Sequence, residues 1–175
     1  MQINSDFVGT TLDTQTHRVS FRDIVNYAAS IDDMNPVYHD DQLAEKLVAP
    51  PVFPVVLTWP MVTSVAERLG DRVPPEALAR MVHSTEHIEW HSPLKPGDKL
   101  RIDGRVEAVV PRYAGTMIVI RFDAGILDGD RRVFTEFTGG LFRGVGCADG
   151  GMGQENLPEV YVIEEERVPL WDHSF

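Results

Sequence analysis

Apolar residues early in the chain recur at spacings of three and four, and later ones recur at a spacing of two. Phe21, Ile24, Val25, Ala28 and Ile31 fall on one side of a helical period. Ser20 precedes them with Asp23 three residues on, a pairing that meets the free N–H groups and positive end of a helix. A helix over 20–31 with one buried side is expected. Asn35-Pro36 ends it, because the residue before proline avoids the α region and Asn tolerates turn geometry. A short second helix is expected from Asp40 or Asp41 through Val48, stopped by Ala49-Pro50-Pro51. Val55, Val56, Leu57, Trp59, Met61, Val62, Val65, Ala66 and Leu69 make 55–69 apolar on nearly every side, the mark of a buried helix. Pro60 requires that helix to begin near Thr58 or to kink, and Gly70 is its natural stop. Pro74-Pro75 predicts a surface loop with a short helical turn through Ala79.

Beyond Val82 the period becomes two. Leu100, Ile102, Val106, Ala108 and Val110 alternate with Arg101, Asp103, Arg105 and Glu107. Ile118, Ile120, Phe122, Ala124 and Ile126 alternate with Val119, Arg121 and Asp123, and Val133, Phe137 and Leu141 form a third set. These are strands with one buried face. Pro96-Gly97-Asp98 reads as a turn, 111–115 as a hairpin loop and Asp128-Gly129 as a tight hairpin. The whole predicts an α+β domain in which a long antiparallel sheet wraps a buried helix. Residues 1–145 form this one domain. Residues 146–175, Gly-rich and then acidic, read as a C-terminal arm or linker, and no internal repeat is visible.

A chain of 175 residues is long enough for one substantial core. Its 16 Lys and Arg against 27 Asp and Glu leave a net charge of -11, which argues against nucleic acid and anionic membrane as partners. One cysteine, Cys147, excludes an intrachain disulfide and fits a cytoplasmic location. The N-terminus lacks the basic start and apolar run of a signal peptide, and no apolar stretch approaches the ~20 residues of a membrane helix.

The densest group of proton-active side chains lies between Asp32 and Asp41. The run YAASIDDMNPVYHDDQLA is similar to the hydratase motif of MaoC-like dehydratases and R-specific enoyl-CoA hydratases. VAPPVFPVVL and EHIEWHSPLKPGDKL resemble the non-catalytic N-terminal half of double hot-dog members of that family. The resemblance covers roughly 20–145. It implies a hot-dog fold, acyl-CoA or acyl-carrier-protein thioester substrates, no cofactor or metal, and pairing of two hot-dog domains as a homo- or heterodimer. The family's Asp and His together hold one water that adds across a 2,3 double bond, and a backbone N–H at the start of the central helix meets the thioester carbonyl.

By the same resemblance Asp33 falls on the catalytic Asp, and Asn35 and Pro36 on its Asn-Pro. Asp32 replaces the family glycine. Tyr38 occupies the place of the family His, and His39 comes one residue late, a register set by the spacing to Ala44. Pro50-Pro51 replace a His-Gly and have no N–H to offer an oxyanion. Asp33 and His39 are thus the catalytic candidates, and Asn35, Tyr38, Pro51 and Phe53 the substrate-binding ones.

His83, His87 and His91 share a parity and are expected on one strand face, opposite Ile88 and Trp90 unless a bulge exchanges them. At ~3.3 Å per residue neighbouring members stand ~13 Å apart, too far to share a metal. GCADGGMG lacks the Lys-Ser/Thr of a phosphate loop. The reading that results is a subunit of an enoyl-CoA hydratase or 3-hydroxyacyl-thioester dehydratase whose intact Asp/His lies on a partner hot-dog chain. A self-sufficient homodimeric hydratase using Asp33 and His39, a non-catalytic thioester-binding or structural partner, and a thioesterase are the alternatives.

Overall fold

The computed structural model describes residues 1–40 and 47–159. Its first strands are short: β1 (Gln2–Ile3) and β2 (Gln15–Arg18). Helix α1 (Phe21–Ser30) follows, with Ser20 as its N-cap. Ser20 Oγ accepts from the Asp23 N–H at 3.1 Å, and Asp23 Oδ2 accepts from the Ser20 N–H at 2.8 Å. This reciprocal closure is worth about 1 kcal/mol. Ile24 and Ala28 form the buried side. A one-turn helix α2 (Pro36–His39) is capped by Asn35, whose Oδ1 accepts from Val37 N–H at 3.2 Å. The expected second helix through Val48 falls mostly on 41–46, outside the described residues. Asp40 is the C-cap of α2.

The central helix α3 runs Pro54–Leu69 and contains Pro60 within it. Leu57, Met61, Val65 and Leu69 are buried at helical spacing. Each contributes about 1.5–3 kcal/mol by leaving water. The helix is not buried all round, as its composition led us to expect. Val56 and Trp59 are 45% and 43% exposed. The missing N–H of Pro60 falls on this open side, where Pro60 itself is exposed. A 3₁₀ turn (Gly70–Arg72) and a one-turn helix α4 (Pro75–Leu78) lead into the sheet.

The main strands are β3 (Met81–Trp90), β4 (Lys99–Arg112), β5 (Gly115–Ile126) and β6 (Arg132–Arg143). With β2 they form a five-stranded antiparallel sheet in the order β2-β4-β5-β6-β3. One face packs on α1 and α3, joining Ile24, Phe53, Leu57 and Met61 to Leu100, Ile102, Val106, Ile120 and Phe122 in a single core. This is the sheet-around-a-helix arrangement of a hot-dog domain.

Bulges correct three expected strand patterns. Register shifts between Val106 and Ala108, so Ala108 and Val110 join Met117, Val119 and Phe137 in a small cluster separate from the main core. Val133 belongs to the main core, whereas Phe137 and Leu141 belong to that smaller cluster, so the three do not share a face. A third shift, between His83 and Thr85, breaks the expected common face of the histidines. His83 stands with Trp59 and Glu86, while His87 stands on Phe137 and His91 bonds Thr135. An inserted residue in one strand reverses the faces of all that follow, which a period of two cannot anticipate.

The Gly-rich segment lies along β4. A last strand β7 (Gly146–Cys147) pairs in parallel with β1, and Met152 and Val109 exchange two backbone hydrogen bonds of 2.9 Å. Gly153 has φ +83°, and a Cβ there would meet the Glu107 carbonyl at 2.2 Å. Leu157 then packs on the smaller cluster. Among the described residues no helix is long and apolar enough to cross a membrane.

Candidate active site

The end of α1 positions the Asp33 loop. Asp32 has φ +56°, the left-handed backbone region, and no other described non-glycine residue has a positive φ. The Asp32 N–H bonds Ala29 O at 3.2 Å and the Asp33 N–H bonds Ala28 O at 2.9 Å. This is the Schellman closure, which favours glycine at the residue that turns left. Asp tolerates the conformation better than most side chains. The turn delivers Asp33 directly after the helix, half-buried.

Asp33 Oδ1 accepts from the Asn35 N–H at 3.1 Å. His39 Nε2 lies 2.7 Å from the Asp33 main-chain carbonyl. A carbonyl only accepts, so Nε2 carries the proton and the basic ring nitrogen is Nδ1. Tyr38 packs against the core. Burial, and then the Asp33 charge, push its hydroxyl above the ordinary tyrosine value, so it stays a donor. The loop thus gathers Asp33, Asn35, Tyr38 and His39, and its Asp and His are joined through backbone.

Pro51 and Phe53 lie where the chain enters α3. The Pro51 carbonyl accepts from Trp90 Nε1 at 2.9 Å. Phe53 is 0% exposed and meets Tyr27 edge to face at 5.5 Å. The start of α3 is poor in donors. Pro50, Pro51 and Pro54 have no N–H. The N–H groups of Phe53, Val55 and Val56 bond Pro50 O, Val52 O and Phe53 O at 3.0, 3.4 and 3.0 Å. Phe53, the N-cap, makes no side-chain cap bond.

Between α3 and the sheet lies a cavity of about 280 Å³. Trp59, Val65, Leu69, Ile118 and Phe142 line it with apolar surface, and His83 and Thr138 are among its polar groups. Periodicity did not reveal what lies behind Thr138. Glu136 is fully buried, Thr58 on α3 donates to its Oε1 at 2.7 Å, and Glu86 stands nearby. The one available signal was Glu136 itself, a charge two residues from Phe134 inside an apolar strand. Among the described residues no group of three or more His, Cys, Asp or Glu is placed to hold a metal ion.

The fold agrees with what comparison finds. Residues 6–136 match the family model described as "FAS1-like, dehydratase domain region". The chain belongs to this dehydratase family. A UPF0336 protein of Saccharopolyspora erythraea is 25% identical over 138 residues, covering 74% of this chain and 85% of the relative. Two solved structures share the hot-dog fold. A MaoC-like dehydratase from Phytophthora capsici superposes with a TM-score of 0.70 at 22% identity, over 91% of this chain and 55% of that one. The C-terminally truncated HadBC (3R-hydroxyacyl-ACP dehydratase) complex from Mycobacterium tuberculosis gives 0.66 at 20% identity, over 78% of this chain and 97% of that one.

Proposed function

We propose that this chain is a subunit of an enoyl-thioester hydratase or 3-hydroxyacyl-thioester dehydratase, and that a second hot-dog chain carries the complete Asp/His pair. The observation that carries this reading is the start of α3. Three prolines and three internally bonded N–H groups leave that helix end poorly equipped to stabilise an enolate oxygen. The loop before it agrees, since Tyr38 stands where the family histidine is expected and His39 bonds backbone.

The partner's Asp and His would activate the water, whose oxygen adds to carbon 3 of the 2-enoyl thioester while a proton goes to carbon 2. This chain contributes the apolar cavity beside α3 for the acyl tail of a CoA or acyl-carrier-protein thioester. It also contributes a docking edge. β3 is one of the two edge strands of the sheet, and Met81 and Val82 on it are 38% and 41% exposed. Next to it α3 exposes Val56 and Trp59. An open edge beside apolar surface invites a second sheet. The HadBC structure is a complex of related fold, and that likeness supports a hot-dog partner.

A homodimeric hydratase using Asp33 and His39 is the second reading, favoured by their shared loop. The purified chain, assayed with crotonyl-CoA, separates the two. No hydration is expected from the chain alone, and hydration is expected when it is co-expressed with a hot-dog chain bearing an intact Gly-Asp-x-Asn-Pro-x-His. Turnover by the chain alone that vanishes in Asp33→Asn would overturn the subunit reading. A co-purifying complex without turnover would make the chain a binding partner only.

A further inference from the structure

Two carboxyl side chains meet beneath the central helix. Glu136 on β6 has no exposed surface, and Glu86 on the edge strand β3 keeps 20% of its side chain exposed. Pairing places Glu86 opposite Thr138 and Ile88 opposite Glu136, so the two glutamates are diagonal neighbours. Both carboxyls converge on one hydroxyl, that of Thr138.

Their donors are too few. Thr138 Oγ1 is 2.9 Å from Glu136 Oε1 and 3.2 and 3.1 Å from the two oxygens of Glu86, yet a hydroxyl has one proton to donate. Thr58 bonds the same Glu136 Oε1. His83 Nε2 is 3.1 Å from Glu86 Oε2. Glu136 Oε2 is left buried without a donor. The groups around the pair are His83 from β3, Thr58 and Trp59 from α3, and Ile120 and Phe122 from β5, which pair with Thr138 and Glu136. Among the described residues neither carboxyl bonds a Lys or Arg. Two bare carboxylates in such a place repel, and like charges at this range do not both ionise.

We propose that Glu86 and Glu136 bind one proton between them, and that this proton fastens the edge strand β3 to β6 and, through Thr58, to α3. The bound proton accounts for the orphan oxygen, because it turns two competing acceptors into a donor and an acceptor. Burial pushes each carboxyl up to about 7, and the Glu86 charge adds to the rise at Glu136. The folded chain therefore holds a proton that the unfolded chain releases between the ordinary carboxylate value and about 7. The stability contributed by this proton is full below that window and falls as pH rises through it. The hold on β3 weakens with it, at the strand that the proposed function assigns to a partner.

Carboxyl titration of the full chain by ¹³C-glutamate NMR tests this without any partner or activity, so its failure would leave the hydratase reading untouched. Two coupled carboxyls are expected, one losing its proton near neutrality. In Glu136→Gln the proton affinity of Glu86 should fall at least tenfold. The loss of stability from pH 5 to 7 should flatten, and β3 amide exchange, corrected for its intrinsic pH dependence, should stop changing across that range. Glu86→Gln, at the more accessible member, should flatten the same slope. Every glutamate titrating below pH 5 in the unsubstituted chain would overturn the proposal, as would an unchanged stability slope in a folded variant.

Discussion

His39 Nε2 donates to the main-chain carbonyl of Asp33 at 2.7 Å, while the Asp33 carboxylate takes the Asn35 N–H at 3.1 Å. The two residues that looked catalytic in sequence are tied into loop closure. Under the proposed function these bonds hold the loop in place, and the water is activated by the partner chain's pair.

Within an active complex, Asp33→Asn and His39→Ala should therefore leave kcat within about twofold. Removing a true general acid or base lowers the rate by ~10²–10⁴. Steady-state hydration of crotonyl-CoA by the reconstituted complex decides between these outcomes. His39→Ala should cost about 1 kcal/mol of stability for the lost hydrogen bond.

Asp32→Gly should stabilise the chain. Asp32 holds φ +56° in the turn that ends α1. Relief of that backbone, partly offset by the greater freedom of glycine in the unfolded chain, gives an expected gain of about 0.5–1 kcal/mol. The midpoint of urea unfolding should rise with its slope unchanged.

Acid should loosen the contact between the N-terminus and the Gly-rich segment. The Ser5 N–H at 2.7 Å and hydroxyl at 2.9 Å hold the Asp149 carboxyl down to about 2. A depressed folded value means stability that is present above the ordinary carboxylate range and lost as pH falls toward 2. Asp149→Asn should flatten the acid limb of stability measured from pH 5 to 2. An unaltered limb would remove Asp149 from the account.

Gly104→Ala should damage the core. A Cβ there would stand 2.8 Å from the Phe122 ring and 3.1 Å from Leu12. Overpacking of this kind costs about 1–3 kcal/mol. Chemical denaturation of the variant measures it, and Phe122→Leu in the same chain should recover part of the loss.

Val82→Lys should separate folding from assembly. Val82 is 41% exposed on the edge strand β3. A surface change there should shift stability by no more than about 0.5 kcal/mol. A lysine on a docking edge opposes strand addition. Analytical ultracentrifugation with the co-expressed partner should find at least tenfold weaker association, and undiminished association would place the interface elsewhere.

The sequence alone determined the elements whose causes are local. Ser20 and Asp23 named the start of α1, Gly70 the end of α3, and alternation named β4 and β5, whereas Asn35-Pro36, expected to stop α1, instead begins α2 after a left-handed turn at Asp32. It determined the family through the run around Asp33, and it marked Tyr38 and the prolines as departures. Each of these depends on residues close together along the chain, where a cap, a turn or a period is complete within a few positions. Only the tertiary structure decided which face each strand residue takes after a bulge, because one inserted residue reverses every later side chain. It placed Val56 and Trp59 on an open surface, since how much of an all-apolar helix is covered depends on which elements pack around it. It brought Thr58, Glu86, Glu136 and Thr138 together from three separate elements. That meeting is what sets two buried acids to compete for too few donors, and no local pattern encodes it.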